Sequence, residues 1–134
     1  MITSCGSFKA ITSSLLIAAL VSCSAPGSAA PAPITTDGSE LFSAKALGSS
    51  PGCVTCHSLT PDQVLVGPSL AGVARRADGR VAGMNAAEYL ERSIIAPGAY
   101  IVDTFDGPKM PDNYAEILSS EQIDSIVTYL LEMR

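Results

Sequence analysis

The residues best equipped for chemistry in this 134-residue chain stand together at Gly52-Cys53-Val54-Thr55-Cys56-His57-Ser58. Two thiols three apart, followed at once by an imidazole, form the Cys-x-x-Cys-His pattern of covalent haem attachment. The spacing has a mechanical reason. On a helical turn, residues three and four apart share a face, so Cys53 and Cys56 can each form a thioether to one vinyl group of the same porphyrin. His57 can then swing its ring beneath the porphyrin and bind iron as the proximal ligand. Other chemistries use the same residue types. A thioredoxin-like dithiol belongs in a strand–helix alternation that this chain does not display. A structural zinc site needs four ligands; His57 is the only histidine, and with Cys53 and Cys56 it makes three. The other cysteines, Cys5 and Cys23, lie in the N-terminal segment.

A thioether opposite histidine raises the reduction potential of haem iron, and Met110 is placed to supply one. Gly98 to Pro111 has no helical pattern and contains Gly107-Pro108-Lys109-Met110-Pro111. A residue before proline is biased toward extended backbone, so Pro108 and Pro111 make a stiff strap carrying Met110. Met84 competes, but it has a structural role at a helix start, and Met133 falls in the terminal helix. The bland alternative for Met110 is a gap-filling core methionine. Arg75, Arg76 and Arg80 cluster in an otherwise acidic chain. They read either as a solvated basic turn or as a source of one guanidinium for a haem propionate.

The elements that must position these groups are short helices. Residues 39–47 favour an amphipathic helix with Leu41, Ala44 and Phe42 inward, broken by Gly48-Ser49-Ser50-Pro51-Gly52. Asn85 with Glu88 makes a capping box, and Met84 with Tyr89 a hydrophobic staple. That helix should run to about Ile95 before Pro97, burying Leu90, Ile94 and Ile95. Ser119 and Gln122 repeat the capping box, with Leu118 stapled to Ile123. Ile123, Ile126, Val127 and Leu130 form the inward stripe, with Glu121, Asp124, Thr128 and Glu132 outside.

With those motifs in order, residues 37 to 134 resemble class I monohaem c-type cytochromes, in a small bacterial form. In that family a Gly-Pro-x-Leu segment follows the attachment site, here Gly67-Pro68-Ser69-Leu70. The resemblance makes the Pro68 carbonyl the acceptor for the ring N–H of His57. It makes Met110 the sixth ligand and Asn113 a donor to its sulfur, although a plain loop asparagine reads equally well. It implies an all-α cytochrome c-like fold, with short helices packed around one covalent haem c. It also implies that the first and last helices cross near Phe42 and Tyr129, although the loop from Phe42 to Cys53 is longer than in many members. The implied function is one-electron transfer between membrane-bound donor and acceptor proteins. Two alternatives stand beside it: a permanent subunit of a larger oxidase or reductase complex, and a haem enzyme or gas sensor with a displaceable sixth ligand.

The remainder of the chain bounds location and partners. Lys9 and the apolar run of residues 10–21 have the form of an export leader, too short for a span of about 20 residues. Leu20-Val21-Ser22-Cys23 resembles a bacterial lipobox, so residues 1–22 read as a lipoprotein-type signal peptide and Cys23 as the lipidated first mature residue. Cleavage after Ser28-Ala29-Ala30 and an uncleaved anchor are the alternatives. Residues 23–38, rich in Pro, Ala, Ser and Gly, read as the lipidated N-terminus and its linker, and 39–134 as the haem domain. The expected location is the membrane surface facing the periplasm or the outside of the cell. Net charge is −5 for the whole chain, and an acidic balance argues against nucleic acid and for partners with a basic docking patch. A core with no Trp and three Phe is modest, and a covalent haem would staple it.

Overall fold

The computed structural model describes residues 35–103, 105–107 and 109–134. The elements, in order, are α1 (Gly38–Ser43), β1 (Ala46–Leu47), β2 (Ser50–Pro51), α2 (Cys53–Cys56), α3 (Val73–Ala77), α4 (Ala86–Ile95), a 3-10 turn (Pro97–Ala99), α5 (Tyr114–Ile117) and α6 (Ser120–Leu131). The leader, Cys23, the linker as far as residue 34, and Pro108 of the strap lie outside the described residues. Among those described, no helix is long and apolar enough to cross a membrane.

The frame is the crossing of α1 and α6. Asp37 caps α1, its Oδ1 accepting from the amides of Ser39 at 2.9 Å and Glu40 at 3.0 Å, which satisfies donors the helix leaves open. The capping box of α6 is present, with Gln122 N to Ser119 Oγ at 3.3 Å and Ser119 N to Gln122 Oε1 at 3.1 Å. Ile123, Ile126, Val127 and Leu130 are buried, while Glu121, Asp124, Thr128 and Glu132 are exposed. The helices approach closely at Gly38, where an added Cβ would lie 2.0 Å from the Ser125 carbonyl oxygen. One turn on, the rings of Phe42 and Tyr129 meet at 5.6 Å, tilted by 48°, in the range favoured by aromatic pairs. Gln122 Nε2 also donates to the Thr35 carbonyl at 2.9 Å, fastening the start of α6 to the segment before α1.

Helix α1 stops at Ser43 rather than reaching Leu47. Ala44 turns extended, and Ala46–Leu47 pairs antiparallel with Ser50–Pro51. Gly48, at φ +56°, makes the turn that an L side chain resists. The hairpin is stabilised by burying Leu47 completely, a tertiary contact that local helix propensity could not outweigh. Helix α4 has its capping box, with Glu88 N to Asn85 Oδ1 at 3.0 Å and Asn85 N to Glu88 Oε2 at 2.8 Å. It buries Tyr89, Leu90 and Ile94 against α6 and α3. Ile95 does not join them. It is 38% exposed, because the last residue of α4 has turned off the inward stripe.

Candidate haem site

The attachment turn is held from behind by backbone. Helix α2 is a single turn that carries no side-chain cap, and His57 stands at its C-terminal end, its amide donating to the Cys53 carbonyl at 2.9 Å. Gly52 N and Thr55 Oγ1 both bond the Lys45 carbonyl, at 2.9 and 3.1 Å. A Cβ on Gly52 would sit 1.8 Å from the Ala44 carbonyl oxygen, so only glycine lets the two segments pass. The His57 ring is fixed next. Its Nδ1 lies 2.8 Å from the Pro68 carbonyl oxygen. A carbonyl only accepts, so Nδ1 carries the proton and Nε2 keeps the lone pair needed to bind a metal. Gly67 lies flat against the same ring, where an added Cβ would come within 2.4 Å of Cε1.

These groups face one cavity, with about 1250 Å³ of empty space counted to its open mouth. Cys53, Cys56, His57, Gly67 and Pro68 form one wall. Met110, Pro111 and Tyr114 come from the strap and α5, while Tyr89, Leu90, Ser93 and Tyr100 come from α4 and the turn that follows. The groups facing the cavity are partly shielded from solvent. Burial pushes the Cys53 thiol up to about 11 and lowers the His57 imidazole, against the opposing pull of the Pro68 carbonyl. Burial, then the neighbouring Cys53 and Cys56, pushes the Tyr114 phenol up to about 12. A site that penalises charge on its own groups favours a large, mostly apolar occupant.

The family model described as cytochrome c matches residues 35–134. The chain belongs to the cytochrome c family. No curated protein matches it. Its fold is the all-α cytochrome c fold, with a small hairpin before the attachment turn. The cofactor is haem c, covalently bound through the Cys-x-x-Cys-His region, and the cavity fits it. Two thiols share one turn, an imidazole presents an unengaged Nε2, a thioether lines the same space, and the walls are apolar. The function is haem-based electron transfer.

The cytochrome brings most of the sequence-predicted residues together. Cys53, Cys56, His57, Pro68 and Met110 line the cavity. Met110 is half-buried and packs against the core; Met84 instead lines a smaller hollow beside α4, with Val81, Arg92 and Ala96. Asn113 is not in the lining; its Oδ1 accepts from Ser50 Oγ at 2.8 Å. Of the arginines, Arg76 and Arg80 reach the cavity and Arg75 does not. Arg76 is already occupied as a brace, donating to the Ser69 carbonyl at 2.8 Å and to that of Ala71. Sequence reasoning missed the part played by Gly67, the roles of Tyr114, Tyr100 and Phe105 in the wall, and α3 and α5 altogether. Gly67 was visible as the residue before Pro68; the aromatic positions carried no local signal.

Proposed function

We propose that this cytochrome is an exported one-electron carrier, anchored by lipid at Cys23, that shuttles between membrane-bound redox partners with His57 and Met110 as the axial ligands of its haem. Haem c supplies the reversible one-electron exchange at iron. The chain's residues do the rest. Cys53 and Cys56 hold the porphyrin, Pro68 and Gly67 orient the His57 ring, and Met110 closes the opposite side. Arg80 would offer positive charge toward a propionate, while Arg76 stays tied to the Ser69 and Ala71 carbonyls. The observation that carries this reading is that His57, its Nδ1 bound to Pro68, and Met110 line the same cavity. With His57 and Met110 both holding the iron, little ligand rearrangement would be needed for one-electron exchange. Val64, Leu65 and Val66 are 60, 47 and 45% exposed, and Val66 reaches the cavity lining. Three consecutive exposed apolar side chains there suit brief contact with a redox protein.

The test is a redox-dependent absorption spectrum of the protein purified from membranes. We expect covalent haem and a ferric band of Met–iron coordination, lost in Met110→Ala. A five-coordinate, high-spin ferrous spectrum would sink the carrier in favour of a haem enzyme or sensor.

A further inference from the structure

The β1–β2 hairpin and α5 lie on opposite flanks of the attachment turn in sequence, yet they are tied together. Tyr114 Oη donates to the Pro51 carbonyl at 2.6 Å, and Ser50 Oγ donates to Asn113 Oδ1 at 2.8 Å. A Cβ on Gly48 would lie 2.8 Å from Ile117 Cγ2, so Ile117 packs flat on the hairpin's turn. The three contacts, Gly48 to Ile117, Ser50 to Asn113 and Pro51 to Tyr114, join the hairpin to α5 and the residue that precedes it. Helix α5 has four residues and no side-chain cap. A turn that short does not hold itself, so its position depends on these ties. Tyr114 is 4% exposed and its ring lines the haem cavity. It follows Met110 by four positions, with Pro111 stiffening the path between.

We propose that Tyr114, seconded by the Ser50–Asn113 pair, is a positioning residue that holds the Met110 strap by bonding α5 to the segment entering the attachment turn. The proposal rests on the reading that Met110 is the sixth ligand. The hairpin thereby becomes the fixed post to which the Met110 side of the iron site is moored. Without the phenol, the Pro51 carbonyl loses its partner, α5 loosens, and the thioether competes less well for iron. The porphyrin itself stays attached, because Cys53, Cys56 and His57 belong to the other wall.

The experiment measures imidazole affinity of the ferric holoprotein, since imidazole binds only by displacing the sixth ligand. Wild type, Tyr114→Phe, Met110→Ala and the double variant are compared, with covalent haem checked by mass. Tyr114→Phe should keep its haem and bind imidazole about tenfold more tightly, the effect of one buried hydrogen bond. In the Met110→Ala background the same change should add nothing, because no ligand remains to be positioned. Equal tightening in both backgrounds, or none in either, overturns the proposal. Should Tyr114→Phe fail to fold, Ser50→Ala must show the same pattern at smaller amplitude, and no tightening there overturns it. A Met110→Ala protein with unchanged imidazole affinity removes the sixth-ligand reading itself, and the mooring with it.

Discussion

At the scale of single residues, the site is decided by close approaches as much as by ligands. The His57 imidazole is trapped between the Pro68 carbonyl and the bare α-carbon of Gly67. Gly67→Ala therefore has no neutral outcome. The new methyl would meet the ring at 2.4 Å, and the ring must tilt away from Pro68. We expect about 1–3 kcal/mol of lost stability from the overpacking, read as a lowered urea midpoint of the holoprotein. The reduction potential should move as well, because the imidazole's proton partner tunes the iron. An alanine variant with wild-type midpoint and potential would show that the ring is not confined there. The cysteines, the histidine and Pro68 were legible in the sequence because each belongs to a short motif whose spacing states its chemistry. Tyr114 was not, since its significance lies in a bond to Pro51, 63 residues away.

At the scale of elements, the helices that announce themselves locally were the ones the sequence revealed. Helices α4 and α6 each open with a capping box and carry an apolar stripe, and both signals are complete within a dozen residues. The hairpin, α3 and α5 have no such grammar. Leu47 ends a run whose composition suits a helix, and it is burial of that side chain, with the bonds from Ser50 to Asn113 and from Tyr114 to Pro51, that favours a hairpin there. The crossing of α1 and α6 offers the sharpest check on the frame. At Gly38 an added methyl would face the Ser125 carbonyl, a backbone group that cannot turn aside. Gly38→Ala should cost about 3 kcal/mol, near the top of the range for an overpacked contact, measured by thermal unfolding. The haem spectrum at low temperature should stay intact, because Gly38 is not part of the cavity lining.

At the scale of the whole molecule, charge and topology matter more than any one contact. The chain carries a net charge of −5, and cleavage at the proposed lipobox would remove Lys9 alone among the charged residues. Electron exchange with a basic redox protein should therefore slow on the order of tenfold as ionic strength rises from low to physiological, followed by stopped-flow absorbance. A rate indifferent to salt would mean that the apolar Val64–Val66 segment, rather than the overall field, governs the encounter. The leader and Cys23 were read from their own sequence and stand outside the described residues. Within the domain, one long-range fastening has a consequence of its own. Gln122 and Thr35, 87 residues apart, share a hydrogen bond beside the α1–α6 crossing. Helix α1 thus emerges from the ribosome long before the surface it must pack on, and its folding waits for synthesis of α6. For the exported carrier proposed above that delay would be useful: a polypeptide unable to close early remains threadable through a translocation channel, and its two thiols would arrive on the far side still within reach of the porphyrin.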